Sequence, residues 1–246
     1  SVDPARDLEA LRFELQFADL TVATHRLERI EDGIRKARTE DKPMLETELA
    51  LMRRIVAALE SGRPIRDLEV SADEERLLRN FQFLSAKPEM VVVNLGEDDD
   101  LDIDLSWASR FRQSAVMALK GTLEMEIAQL PPDEVAGFLG EFGLHEPGLN
   151  TLVRSCYGLL GVMSFFTVGE DEVRAWTVRR NATAVEAAGA IHSDLARGFI
   201  RAEVISYEAM VACGTMAEAR RQGKLRLEGR DYIVQDGDIL NIRFNV

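Results

Sequence analysis

The sequence predicts a mixed chain, α/β joined to α+β, entered through a long antiparallel helical hairpin. Three observations carry that prediction. The first eighty or so residues repeat apolar positions at helical spacing. Two short, continuous apolar runs, Met90–Val93 and Ala115–Leu119, are each followed by helical patterns, the signature of strand–loop–helix units with a parallel pairing. The last stretch, Glu172 to Val246, changes to strand, helix and strand patterns and reads as a small separate module.

Taken in order, Asp7 to Glu40 is one long helix. Leu8, Leu11, Leu15, Ala18, Val22, Leu27, Ile30 and Ile34 recur at spacings of three to five, and charged residues fill the other face. Asp41-Lys42-Pro43 is a stop-and-restart signal, because proline is tolerated in a first helical turn. A second helix runs from about Met44 to Leu59 and ends at Ser61-Gly62-Arg63-Pro64. Two long helices on a short turn make an antiparallel hairpin, either plain scaffold or a protruding arm that touches a partner. A shorter helix, Ala72 to Leu84, follows Ser71, which has Glu74 at capping-box spacing. Met90-Val91-Val92-Val93 reads as a buried strand ending at Asn94-Leu95-Gly96-Glu97, and acidic residues Asp98 to Asp100 follow. A helix is expected around Leu105 to Arg112. The second strand ends at Lys120-Gly121-Thr122. Further helices are read at Glu124–Leu130, from Pro132 to about Phe142, and at Leu149–Leu160. In the end module, Glu172–Val178 and Ile200–Tyr207 read as strands and Ala182–Ile191 as a helix. Two final strands hinge at Asp236-Gly237-Asp238, a hairpin signal.

Ligands of parallel sheets bind at the carboxyl ends of the strands. Asn94, Leu95, Glu97 and Lys120, Gly121, Thr122 occupy those ends and form a candidate crevice, although Asn and Gly there also serve as ordinary turn formers. Two strands are few for a complete cleft. The sequence contains no G-x-x-x-x-G-K-[ST] phosphate-cradling loop. It opens at Ser1 on residues that read as mid-protein sequence, as expected for a processed product or a fragment.

Composition narrows the function classes. The chain has 246 residues, 46% of them hydrophobic, enough for a real core. No apolar run approaches the roughly 20 residues needed to span a bilayer, and no signal-peptide pattern is present. Cys156 and Cys213 are far apart, with no CxxC spacing. They read as buried small apolar residues of a reduced, cytoplasmic protein. His25, His145 and His192 form no metal constellation; His192, beside Asp194, reads as a helix-terminal cap. The net charge of −13 is uneven: residues 1–150 hold 18 Lys/Arg and 31 Asp/Glu, and residues 151–246 hold 12 of each. The acidity belongs to the first part, and the neutral end can present a local basic face. Arg220, Arg221, Lys224, Arg226 and Arg230 supply one, with Arg179, Arg180, Arg197 and Arg201 adding to it. It is either a solvated face or a set of salt-dependent phosphate contacts to RNA. Trp176, in a strand, reads as core rather than as a base-stacking platform.

Several stretches together resemble the YchF family, also called Obg-like ATPases. They are Val173-Arg174-Ala175-Trp176-Thr177, Ala187–Asp194, Gly198–Val204, Arg226–Asp238 and the terminal Arg243-Phe244-Asn245-Val246. Tyr157–Gly161, Phe165-Phe166-Thr167 and Ser1–Glu9 extend the likeness, which is looser over residues 40–150. The resemblance implies P-loop nucleotide hydrolases with a coiled-coil domain inserted in a G domain and a C-terminal TGS module of β-grasp type. It implies residues 4–84 as the helical domain, 85–168 as the remaining part of the G domain and 169–246 as the TGS module. It also implies that Asn94-Leu95-Gly96-Glu97 stands for the Asn-x-x-Glu form of the base-specificity motif. An Asp carboxylate reads guanine's N1–H and amino group, and its loss removes the preference for GTP over ATP. Leu95 then lies beside the base, and Lys120-Gly121-Thr122 is the second base-side loop. The family's P-loop, switch and magnesium-binding residues have no counterpart in these residues. ATP and Mg2+ are therefore expected only with a preceding segment, and the chain alone is expected to bind nucleotide weakly or not at all and not to hydrolyse it. The expected partner is the ribosome or its RNA, with no membrane and no DNA. The competing reading is a non-catalytic interaction protein working only through the arm and the TGS surface. An unrelated active site is disfavoured, because no acid/base or nucleophile constellation appears.

Overall fold

The structure is a computed structural model describing residues 2–169 and 172–245, so Ser1 and Val246, the outer ends of the family-like stretches, lie outside the described residues. The chain divides into two compact units, Ser1–Ser155 and Cys156–Val246.

In the first unit, α1 (Pro4–Lys36) and α2 (Lys42–Glu60) form the expected hairpin. Asp3 caps α1 by accepting the Arg6 N–H at 3.1 Å, and Pro4 sits in its first turn, where no donor is lost. The helix stops four residues short of the predicted Glu40, with Arg35 and Lys36 set against its C-terminal dipole. Ala23 and Ile30 of α1 pack on Leu51, Met52, Ile55 and Leu59 of α2. Arg26 grips buried Glu48 with two 2.7 Å hydrogen bonds across the pair. A single 3-10 turn, Ile65–Asp67, follows.

α3 (Ala72–Leu78) carries the expected Ser71–Glu74 capping box but ends six residues earlier than the spacing suggested. Gln82 turns left-handed at φ 55°, Phe83 dives into the core, and buried Asp19 takes the Leu84 and Ser85 N–H groups at 2.8 and 2.7 Å. Those donors are thereby lost to any helix.

β1 (Glu89–Asn94) and β2 (Ser114–Leu119) form a parallel two-stranded sheet in register, Glu89 beside Ser114 and Asn94 beside Leu119. β1 was expected to be buried, yet only Val93 is; Val92 is 39% exposed and every residue of β2 is half-buried. Two strands cannot cover both of their own faces. The helix expected at Leu105–Arg112 is absent, and turns replace it. Its backbone groups are taken by side chains. Asp104 accepts the Ser106 N–H at 2.9 Å, Asp67 accepts that of Arg112 at 2.8 Å, and the Ala108 carbonyl accepts from Arg12 at 2.6 Å.

Glu89 opens β1 inside a charge network. It accepts from Arg12 at 2.5 Å, Arg66 at 3.0 Å and Ser114 at 3.0 Å, and Arg12, Arg66 and Arg110 all lie against the Phe111 ring. Burial pushes its carboxyl up, but the Arg12 hydrogen bond and the Arg66 charge outweigh this and hold it below the usual range. α4 (Gly121–Ile127), α5 (Pro132–Glu141) and α6 (Gly148–Leu160) follow; Leu123, Ile127 and Leu139 make a small core between α4 and α5.

The second unit holds β3 (Val162–Val168), β4 (Val173–Arg179), α7 (Ala184–Ile191), α8 (Ser193–Arg197), β5 (Phe199–Ser206), α9 (Tyr207–Cys213), α10 (Met216–Arg221), β6 (Arg226–Glu228) and β7 (Asp238–Phe244). The five strands form one sheet in the order β4-β3-β7-β5-β6. α7 covers one face over Phe165, Ala202, Val204 and Leu240, and α9 and α10 cover part of the other over Ile205 and Ile239. Trp176 packs at the margin of the first core and donates to Thr167 at 2.9 Å. His192 ends α7 and accepts the Asp194 N–H at 3.1 Å, the cap expected of it. Cys156 and Cys213 are half-buried rather than buried.

The terminal hairpin is not formed. Asp236-Gly237-Asp238 is a turn, with Gly237 at φ 80°, but the segment before it makes only one bridge, Ile233 to Thr183. β7 instead pairs antiparallel with β5 and parallel with β3. Main-chain bonds hold residues 232–234 to 182–184, with the Ala184 N–H on the Tyr232 carbonyl and the Val234 N–H on that of Ala182.

Candidate functional site

The parallel register brings the two predicted strand ends together. Asn94 Oδ1 accepts the Gly121 N–H at 2.8 Å, the Leu95 N–H reaches the Leu119 carbonyl at 2.8 Å, and Lys120 Nζ donates to the Glu97 carbonyl at 2.8 Å. Gly121 leaves room for the Asn94 contact: a Cβ there would meet Asn94 Oδ1 at 2.8 Å, so the carboxamide would have to shift. The Asn94 side chain therefore ties the loops with its oxygen and keeps its amide NH2 for something else, since among the described residues that group has no partner. Gly96 folds the loop back by donating to Asp99 at 2.8 Å.

Beside the loops lies a cavity of about 100 Å³ lined by Glu97, Lys120, Thr122, Leu123, Glu126 and Phe142. Three of the six predicted residues line it; Asn94, Leu95 and Gly121 do not. Leu123, Glu126 and Phe142 were not singled out from sequence. For Leu123 and Glu126 the signal would have been the i, i+3 face of α4, which follows directly from Lys120; Phe142, at the end of α5, offered no such signal. The Glu124 carboxylate closes the region by accepting the Gly148 and Leu149 N–H groups at 2.7 and 3.1 Å. Among the described residues no cluster of three or more His, Cys, Asp or Glu side chains could hold a metal ion.

The predicted basic cluster is less free than its sequence suggests. Arg220 pairs with Glu203 at 3.1 Å, and Arg221 with Glu218 at 2.7 Å. Arg226 lies over the Tyr232 ring, donates to its hydroxyl at 2.8 Å and pairs with Glu228 at 3.4 Å; Arg230 donates to the Phe199 carbonyl at 3.3 Å. Lys224 alone of the five has no side-chain partner among the described residues. Buried Asp238 accepts from Tyr232 at 2.8 Å and from the Gln235 N–H at 2.9 Å. Burial and that carboxylate push the Tyr232 phenol up to about 12.

Glu203, which the sequence reading passed over, is buried on β5 and accepts from Arg243 at 2.5 Å, Arg220 at 3.1 Å and Asn241 at 3.0 Å. Burial pushes its carboxyl up, and the hydrogen bonds from Arg243, Arg220 and Asn241 overcome this, so it stays charged.

Comparison with known proteins adds the following. Residues 162–245 match the family described as YchF-GTPase_C, protein of unknown function (DUF933). The whole chain is 39% identical over 252 positions to the ribosome-binding ATPase YchF of Bacillus subtilis (strain 168) and 40% identical over 250 to that of Escherichia coli O157:H7, spanning 68% of each. It is 33% identical to Obg-like ATPase 1 of Oryza sativa subsp. japonica, spanning 63% of that protein. The structure entitled Schizosaccharomyces pombe YchF GTPase superposes with a TM-score of 0.82 at 27% identity, over 99% of this chain and 67% of that one. No described helix is long and apolar enough to cross a membrane.

Proposed function

The chain belongs to the YchF family, and from that premise we propose that it reads the base of a nucleotide and docks on the ribosome. In this reading residues 4–84 are the coiled-coil arm, residues 85–168 carry the base-reading loops and residues 169–246 are a TGS module of β-grasp type, in a cytoplasmic protein. The observation that carries the base-reading role is the Asn94–Gly121 tie, which sets the Asn-x-x-Glu loop against Lys120-Gly121-Thr122 with the Asn94 amide free to donate to a purine ring nitrogen. Glu97, on the cavity wall, sets its carboxylate one methylene further out than the Asp that would select guanine. The residues present fit a base but not the rest of ATP-Mg2+: the sequence has no phosphate-cradling G-x-x-x-x-G-K-[ST], and no described cluster suits the metal. No phosphoryl-transfer step is assigned to this chain.

Docking is assigned to the basic face of the second unit, with Lys224 and Arg221 as its outermost cations. The bacterial relatives carry the name ribosome-binding ATPase, and a neutral unit with a local basic face suits RNA phosphates. The test is co-sedimentation of the full chain with ribosomes at low salt. Wild type pellets, whereas Arg221→Glu combined with Lys224→Glu stays in the supernatant; equal pelleting of both would overturn this assignment. Arg220 is left out of the variant because its loss would strip a partner from buried Glu203.

A further inference from the structure

We propose that the open part of the sheet face around Glu203 is an RNA-backbone site, in which Arg201, Arg220 and Arg243 hold phosphate oxygens. This rests on the RNA-docking reading above and locates its centre on β5 and β7, with Arg220 contributed by α10. The first observation is a mismatch. Arg201 of β5 stands directly opposite Arg243 of β7 in the antiparallel register. Ala202 and Val204 point into the α7-side core, so Arg201 shares the opposite face with Glu203. Like charges directly opposite each other in a sheet are destabilising. Glu203 offsets the Arg243 charge, and a further anion over the face would offset that of Arg201.

Glu203 does not supply that neutralisation alone. Its carboxylate is already shared by Arg243, Arg220 and Asn241, and Arg201 has no side-chain partner among the described residues. Two guanidinium groups therefore share one carboxylate with the Asn241 amide, while Arg201 on the same face shares none of it. Because Glu203 is only 3% exposed, it works as a buried anchor. It fixes one N–H edge of Arg220 and of Arg243 while leaving those side chains 61% and 56% exposed, with donors to spare. Preoriented, planar, multi-donor cations match phosphate oxygens better than flexible ammonium groups do. The cations are the preoriented groups of this face, so the contact expected is to the backbone, tolerant of sequence and sensitive to salt.

The experiment is fluorescence anisotropy of a labelled RNA hairpin titrated with the full chain across a salt series. Arg201→Gln touches no partner. It is expected to weaken binding several-fold at low salt and flatten the log–log salt slope by about 1, while the thermal midpoint stays equal or rises because the like-charge pair is gone. Arg243→Gln, which leaves Glu203 with Arg220 and Asn241, is expected to weaken binding likewise. Wild-type affinity and slope in both variants would overturn the site. If Arg221→Glu with Lys224→Glu weakens binding in that case, the docking reading survives and only this location falls. A wild-type chain that does not bind the hairpin at any salt overturns both.

Discussion

Single atoms decide the behaviour of the two sites. The Gly121 hydrogen stands where a methyl group would meet Asn94 Oδ1 at 2.8 Å, so Gly121→Ala is expected to push the carboxamide away and weaken its bond to the position-121 amide. Hydrogen exchange at the position-121 amide is expected to quicken measurably over wild type; unchanged protection would show that the loops are held by other contacts. In the second unit the Tyr232 phenol, raised to about 12 from 10.0, gives a signed prediction. The folded chain keeps that proton while the unfolded chain releases it, so stability falls as pH rises from 10.0 toward about 12. Urea unfolding at neutral pH and in that alkaline window should show the loss, and Tyr232→Phe should flatten it. Glu203 and Glu89 act at the other end. Their carboxyls are held below the usual range in the folded chain, so the stability they give is present above the ordinary carboxylate pKa and is lost as acid titrates them in the fold.

At the scale of elements, packing rather than propensity holds the hairpin together. Leu51 is fully buried between α1 and α2, and Leu51→Ala is expected to cost about 2–5 kcal/mol, measurable by chemical denaturation. The exposed Val22→Ala should cost far less. These helices were legible in the sequence because their apolar residues recur at a local period that needs no knowledge of distant partners. The same holds for the two parallel strands and for the Ser71–Glu74 and His192 caps. Elements governed by distant contacts were not legible. β3 reads Val-Met-Ser-Phe-Phe-Thr-Val, without clean alternation, and becomes a strand because β4 and β7 flank it. The 105–112 segment has helical composition, but Asp104, Asp67 and Arg12 take its backbone groups from outside. The Asp-Gly turn was seen correctly, but its partner strand was misassigned: β7 closes on β5, some thirty residues upstream.

Over the whole molecule, the strand-end loops could be located by motif and resemblance, whereas Glu203 and Arg243 could not, since their meeting depends on the β5–β7 register. Charge is also partitioned at this scale. Residues 1–150 carry the entire excess of acid and residues 151–246 none, so attraction to a polyanion is confined to one end and opposed at the other. Ribosome pelleting is accordingly expected to fall linearly in log occupancy constant against log salt, with a shallow slope set by a few cations; a salt-independent pellet would point to a protein-mediated contact instead. The Glu89 network has a mechanical consequence as well. β1 is six residues long, roughly 17 Å from end to end. Its first residue is bolted to α1 through Arg12 and to the 3-10 turn through Arg66, and its last residue is Asn94. The strand is thus a short stiff rod with the arm's root clamped to one end and the loop tie at the other. The root of the arm and the tie between the loops therefore share the two ends of one six-residue strand.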